Sequence, residues 1–465
     1  MAVLKRFACF HQVTVWHKFM LRTYSSRNIL ALSERGFLQD IFPSNSAAEI
    51  IDVLNSHPQV VYAGFDPTAD SLHVGNLLVL VNLIHWQRAG HQVISLVGGA
   101  TAQIGDPSGR SSERPKLAVE TVERNKSSIS ECIKSLFDNH EKYFWLKESQ
   151  KKKLQKVIIV DNERFYRDMS VIDFVSHIGC HFRVGPMLSK SMVQSRLSSD
   201  VGLSFSELAY QTFQAYDWLH LLRNYNCRFQ IGGSDQMGNI VAGHDLIGRV
   251  VDTKVYGLTV PIVTSETGDK FGKSAGNAVW LSNQKTSSFE LYQYLVRTPD
   301  ADVEKMLKFF TFDSLSNIEQ LMKKHKANPE LWLAQKKLAD SVTLLVHGEQ
   351  GLKSAHLATS ALYDKDLESL ACLTSDDIRL IFRGAAKSQL LLSPGMTTLN
   401  LAMSAGCFGN ESDAKRIISA GGFYINHKRV TNYNEILTKA VHILPNNISL
   451  VRVGKRNYYI VQWLT

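Results

Sequence analysis

Two ammonium groups stand three residues apart in a glycine-containing segment, Thr264-Ser265-Glu266-Thr267-Gly268-Asp269-Lys270-Phe271-Gly272-Lys273-Ser274. The segment is one residue short of the Gly-x-x-x-x-Gly-Lys-Ser/Thr spacing of a P-loop, so a P-loop ATPase explains it poorly. Lys270 and Lys273 are instead suited to stabilising the charge that develops on a departing pyrophosphate. A second constellation runs from Tyr62-Ala-Gly-Phe-Asp66-Pro-Thr68 to His73-Val-Gly75-Asn76. His73 and Asn76 fall on one face of a first helical turn, where helix-end N–H groups and the dipole attract anions, and Gly75 leaves room for a flat base. A third constellation places Tyr210, Gln214 and Asp217 at i, i+4 and i+7 of one helix. A phenol, an amide and a carboxylate in one stripe fit a small zwitterionic aromatic ligand.

The elements that must position these groups follow from the hydrophobic pattern. Val60 to Phe65 reads as a strand ended by Asp66-Pro67-Thr68. Asp70 and Ser71 are placed to cap a helix whose Leu77, Leu80, Val81 and Ile84 recur at helical spacing, with Gly90 as its stop. Gln92 to Val97 is a second strand, which completes a βαβ unit. Val157 to Val160, Arg228 to Ile231 and Leu258 to Val263 are further strands, separated by helical segments such as Phe205 to Leu222. The pattern predicts an open α/β fold with a parallel sheet, whose ligands bind beyond the carboxyl ends of the strands, at Asp66, Gly98, Asp161 and Gly232. From about Ser287 to Ala385 helical patterns take over, including Phe289 to Arg297 and Pro329 to Leu345. After Ser393-Pro394-Gly395, a helix at Asp413 to Ser419 and a strand at Phe423 to Ile425 predict a small α+β module.

The charge of the 465-residue chain, +9, is concentrated at its ends. Met1 to Ser33 contains Lys5, Arg6, Lys18, Arg22 and Arg27 and no acid, while Glu411 to Thr465 carries a local +5. The remaining body is near neutral at −1. Cations interleaved with apolar and hydroxyl residues predict a removable mitochondrial presequence over 1–33, and hence the matrix as the compartment. No run approaches the ~18 apolar residues of a spanning helix, so no membrane role is expected. The six cysteines show neither a CxxC pair nor metal-ligand spacing, which excludes a zinc site and a disulfide framework as readings.

Together the three constellations resemble the tyrosyl-tRNA synthetases, class I aminoacyl-tRNA synthetases with HIGH-type and KMSKS-type signatures. Here these are His73-Val-Gly-Asn76 and Lys270-Phe-Gly-Lys273-Ser274. The resemblance extends through Gly98-Gly-Ala-Thr-Ala-Gln-Ile-Gly-Asp-Pro-Ser-Gly109 and Gln230-Ile-Gly-Gly-Ser-Asp-Gln-Met-Gly-Asn239, and covers most of the chain from about residue 34. One departure is Asn76, which replaces the last histidine of the first signature; it can donate a hydrogen bond but cannot become charged.

The resemblance implies a Rossmann-like catalytic domain over 34–286, a helical anticodon-binding domain over 287–390 and an S4-like RNA-binding module over 396–465. It implies that Tyr62 and Asp217 grip the substrate phenol and that Asp106, Tyr210 and Gln214 hold the α-amino group. Asn162 resembles a residue near the tyrosine end of the site. ATP would meet Asp66, His73, Asn76, Gly232, Asp235, Gln236, Lys270, Lys273 and Ser274, with Thr68, His73, Asn76, Lys270 and Lys273 as the catalytic set. Magnesium would arrive with ATP, with no metal held by the protein, and tRNA(Tyr) and a second copy of the chain would be its partners. Two other readings are a tryptophanyl-tRNA synthetase and a synthetase-derived RNA-binding or splicing factor. Tyr62 with Asp217 argues against the first, because an indole has no phenolic hydroxyl. Intact His73, Lys270 and Lys273 argue that activity is retained.

Overall fold

A central strand flanked on both sides by later strands organises the first half of the chain. In the computed structural model, which describes residues 27–109, 112–147, 153–199, 202–263, 273–274, 277–363, 386–454 and 457–464 with isolated positions from 368 to 378, β1 (Asp40–Phe42), β2 (Val60–Phe65), β3 (Gln92–Val97), β4 (Ile158–Asp161), β5 (Cys227–Gly233) and β6 (Tyr256–Val260) form one sheet. Its order is β1-β6-β5-β2-β3-β4, and every pairing is parallel except β1 with β6. The expected parallel sheet is therefore mixed: a three-residue edge strand, too short to show a period, adds antiparallel to β6. The β2 and β3 runs form the strands expected of them. β6 stops at Val260 rather than Val263, because Pro261 has no N–H for the ladder.

The helix after β2 spans Val74–Arg88 and is buried along most of its length against the sheet. It starts at His73, not at Asp70 or Ser71 as the pattern predicts. The Asn76 side chain accepts from the His73 backbone N–H at 3.1 Å, while Asp70 pairs with Lys285 at 2.5 Å and Ser71 accepts from the Ser282 N–H at 3.1 Å. Both candidate caps are thus engaged by the 282–285 segment. Gly90 ends the helix at φ +86°, a left-handed position that favours glycine.

Two compact units divide the chain. The first comprises residues up to Thr286 together with Leu295–Val346, the second Ser287–Tyr294 together with His347–Thr465. The helices of the 287–390 segment are therefore shared between the units. In the first, Arg35 donates to the backbone carbonyls of Lys308, Thr311 and Asp313 at 2.9, 2.6 and 2.6 Å, and burial lowers its pKa to about 10. The turn before it, Ile29–Arg35, belongs to this unit: Ile29 and Leu30 are 3% and 0% exposed. The presequence boundary expected at 33 falls within this turn.

In the second unit, β9 (Ala386–Leu391), β10 (Phe423–Ile425), β11 (Lys428–Val430), β12 (Ile448–Val453) and β13 (Asn457–Leu464) form a sheet of order β11-β10-β12-β13-β9. One face packs Phe423, Ile425, Val451, Val461 and Trp463 against residues of the helices Thr398–Ser404 and Glu411–Ser419. The other places Ile448, Leu450 and Ile460 against Ala358 and Ala361. β9, which a boundary at 396 leaves outside the module, pairs in parallel with β13.

The Phe205–Tyr225 helix, which carries the polar stripe, is held at its first turn by an internal ion pair. Arg196, on the helix Ser191–Leu197, meets Glu207 through two bonds of 2.9 and 3.1 Å, the side chains being 1% and 4% exposed. Removing one member leaves the other charge buried and alone, a loss of about 3–5 kcal/mol. Arg196→Met is accordingly expected to shift denaturant unfolding of this unit by an amount of that order, and adding Glu207→Gln should recover part of it.

Candidate active site

A cavity of about 670 Å³ opens beyond the carboxyl ends of β2 and β5. Here the chain first builds outward through β3 and β4 and then returns to build outward through β5 and β6, which leaves a crevice at the point of reversal. Thirteen of the sequence-predicted residues line it: Tyr62, Asp66, Thr68, His73, Asn76, Asp106, Tyr210, Gln214, Asp217, Gly232, Asp235 and Gln236, with Gly75 beside them.

At one end, β2 presents Tyr62 and the stripe helix presents Asp217. The Tyr62 hydroxyl is buried and has no hydrogen-bond partner among the described residues; burial, and then the Asp217 charge, raise its pKa. Asp217 accepts from Asn162 Nδ2 at 2.9 Å and from the Tyr166 hydroxyl at 2.7 Å. Burial nevertheless pushes its pKa up to about 7, outweighing those two bonds.

In the middle, Asp66 accepts from the Thr101 hydroxyl at 2.7 Å and the Tyr210 hydroxyl at 2.8 Å, and burial raises its pKa to about 6. The glycine at 98 is required here, because a Cβ would collide with the Asp66 carboxylate and the Thr101 hydroxyl. Asp106 accepts from Gln236 Nε2 at 2.8 Å and the Ser108 N–H at 3.0 Å. Gln214 lines the same wall.

At the other end, the start of the Val74–Arg88 helix carries His73 and Asn76, with Thr68 before it. A strap from Val279 to Ser282 lies against this start: the Val74 N–H donates to the Val279 carbonyl at 2.9 Å and the Leu281 N–H to the Leu72 carbonyl at 2.8 Å. Gly232 lets Gln236 approach, since a Cβ there would lie 2.8 Å from that of Gln236. Lys270 lies outside the described residues. Lys273 and Ser274 are placed by their backbone only, as β7 (Lys273–Ser274) paired antiparallel with β8 (Asn277–Ala278).

Sequence reasoning did not find four contributors. Thr101 and Tyr166 supply donors to the two carboxylates, Arg114 reaches Thr68 Oγ1 at 3.4 Å, and Trp280 adds a wall with its ring centroid 6.3 Å from that of His73. Only their nearness to strand ends and to the lysine segment could have marked them. Among the described residues no three His, Cys, Asp or Glu side chains are arranged to hold a metal ion, and no helix is long and apolar enough to cross a membrane.

A mixed, mainly parallel sheet with a helix start at its switch point and buried carboxylates beside a phenol sets a polar crevice where open α/β folds bind their ligands. The family model for class I tRNA synthetases (W and Y) matches residues 54–364, and the chain belongs to that family. Its likeness is to the mitochondrial tyrosine branch. The mitochondrial tyrosine–tRNA ligase of Drosophila melanogaster is 57% identical over 443 residues, 95% of this chain and 96% of its own. That of Homo sapiens is 44% identical over 441 residues, 94% of this chain and 92% of its own. Among solved structures, a C-terminally truncated mitochondrial tyrosyl-tRNA synthetase from Aspergillus nidulans superposes with a TM-score of 0.66 at 30% identity, covering 75% of this chain and 99% of its own.

The raised carboxyl pKa has a measurable consequence. In the folded chain Asp217 retains, up to about pH 7, a proton that the unfolded chain releases near its ordinary pKa of about 4. The folded state therefore binds more protons across that window, and the Asp217 contribution to stability falls as pH rises through it. Asp217→Asn lacks this dependence, so its melting temperature relative to the unsubstituted protein should climb from about pH 4 to about pH 7 in ligand-free thermal scans.

Proposed function

We propose that this cavity aligns tyrosine with ATP for adenylate formation and then presents the adenylate to the 3′ end of tRNA(Tyr). The activity itself is that of a tyrosine–tRNA ligase, the activity named for the mitochondrial relatives that match the chain over nearly its whole length. The observation that carries the assignment of residues is the unpartnered, buried Tyr62 hydroxyl at the Asp217 end of the cavity. A tyrosine phenol seated there pairs with Tyr62 and Asp217, and its ammonium group lies toward Asp66, Asp106, Tyr210 and Gln214. A cation at that position also favours the ionised form of Asp66.

The tyrosine carboxylate then attacks the α-phosphorus of ATP in line, one P–O bond forming as the bond to pyrophosphate breaks. The nucleophile is already an anion, so no general base is needed, and catalysis rests on orientation and on charge stabilisation as pyrophosphate leaves. Thr68, His73, Asn76, Lys270 and Lys273 serve that charge, with Gly232, Asp235, Gln236 and Ser274 holding the rest of the nucleotide. Magnesium accompanies ATP as part of the substrate. A terminal ribose hydroxyl of tRNA next attacks the tyrosyl carbonyl and AMP departs.

The same reading assigns tRNA contacts to the helical segment 287–390 and the basic C-terminal module, places the enzyme in the matrix, and makes it a homodimer. Support for the dimer comes from Val171, Ile172 and Phe205, which are 80%, 79% and 84% exposed and give the first unit an apolar surface.

Two experiments test the assignment. Pyrophosphate exchange into ATP by protein lacking the presequence should depend on tyrosine and not respond to tryptophan. In that assay Tyr62→Phe should remain active but narrow the tyrosine-to-phenylalanine ratio of kcat/KM, because a buried polar group left unpaired by phenylalanine is part of the rejection. An unaltered ratio removes Tyr62 from the hydroxyl site. Separately, Lys273→Ala should slow adenylate formation ~100-fold or more in stopped-flow measurements with little change in tyrosine affinity. An unchanged rate means that the phosphates lie elsewhere.

A further inference from the structure

The β10–β11 hairpin turns through Asn426 and His427, at φ 47° and 63°, a two-residue connection that fixes its register. That register sets Tyr424 opposite Arg429 on one side and opposite Arg452 on the other, and Arg452 in turn opposite Tyr458. Paired residues share a face of the sheet, so the four side chains form a row across β11, β10, β12 and β13 in which guanidinium and phenol alternate, and at its β13 end Tyr458 packs against the Ile448, Leu450 and Ile460 cluster, which leaves Arg429, Tyr424 and Arg452 as the part beyond it. At about 4.8 Å per strand the row is about 14 Å long. Phe423, Ile425 and Val451 alternate with it and pack into the apolar core of the opposite face.

Among the described residues no carboxylate pairs with the guanidinium groups of this row. The Arg452 Cζ lies 3.8 Å from the Tyr424 ring centroid, and its Nη1 donates to the Gly454 carbonyl at 2.7 Å. Arg429 donates to the carbonyls of Gly421 and Ala420 at 2.9 and 3.0 Å. Each guanidinium has five N–H donors, so these bonds use only part of its capacity. None of the five strands contains Asp or Glu. By contrast, the cations of the neighbouring helix are each matched within it, Lys415 to Glu411 at 2.6 Å and Arg416 to Asp413 at 2.7 Å.

We propose that the Arg429–Tyr424–Arg452 part of this row is a contact strip for unpaired nucleotides of tRNA. The proposal rests on the reading above that the C-terminal module binds tRNA, and it names the surface that does so. A guanidinium stacked on a ring is held flat and offers its in-plane donors to phosphate oxygens, while a phenol face stacks a base regardless of its identity. Paired RNA hides its base faces, so a strip of this composition selects loop or junction nucleotides.

The test uses the full chain and aminoacylation at varied tRNA concentration, with pyrophosphate exchange and the melting temperature as controls. Tyr424→Ala and Arg452→Ala should each raise the KM for tRNA by roughly tenfold, the range for losing a stacked base, while exchange is unchanged. Tyr424→Phe, which keeps the ring, should stay near the unsubstituted protein. Arg452→Ala should also flatten the dependence of log affinity on log salt by about 0.7, the share of one phosphate on a single strand. If Tyr424→Ala lowers the melting temperature, the charge reversal Arg452→Glu decides instead: a KM above that of Arg452→Ala supports the strip, and an unchanged KM overturns it. If the row variants leave KM unchanged while Lys415→Ala with Arg416→Ala raises it, the strip is overturned and the module still binds tRNA through its helix. If no variant changes KM, both the strip and the RNA role of the module fall.

Discussion

Two carboxylates removed from water, each held by neutral donors from other parts of the chain, tie the catalytic sheet together at its carboxyl edge. Tyr210 and Thr101 donate to Asp66, Asn162 donates to both Thr101 and Asp217, and Tyr166 completes the set on Asp217. The chain of bonds runs from the stripe helix to the end of β2, past the turn after β3, to the residues after β4, and back to the stripe helix. Burying a carboxylate is costly unless its lone pairs are satisfied, so the position of each element is constrained by the needs of the others. The raised pKa of both acids measures how incomplete that compensation is without a ligand.

Much of this was readable from the chain because it is local. β2 and β3 are continuous apolar runs ended by turn residues, which is how a strand buried on both faces is written. Tyr210, Gln214 and Asp217 declare themselves as a stripe, and Asp66 as the first residue past a strand. Asn162 and Tyr166 gave no such sign. Their role is defined by Asp217, 55 and 51 residues away, and no periodicity connects them. The edge strand β1 was hidden for a related reason: three residues cannot show a period of two, and its existence depends on an unpaired edge of β6. The start of the Val74–Arg88 helix was misplaced by three residues because Asp70 and Ser71 have the right chemistry for a cap but are claimed by Lys285 and Ser282.

That competition also explains how this end of the cavity is organised. Val279 to Leu281, which follow the lysine signature in the chain, pair with residues 72–74, so this strap and the helix start form one hydrogen-bonded frame. Within that frame Asn76 spends its side-chain oxygen on the His73 N–H, a use that needs no charge. The replacement of a second histidine by asparagine is therefore compatible with the local fold, and Asn76 still lines the cavity.

The Arg35 guanidinium has a consequence for the order in which the molecule comes into being. Its three carbonyl partners lie 273 to 278 residues further along the chain. At about 5–20 residues per second, a ribosome needs on the order of tens of seconds after making Arg35 to reach Asp313. Throughout that interval the turn Ile29–Arg35 lacks the surface it packs on, and the first unit cannot close.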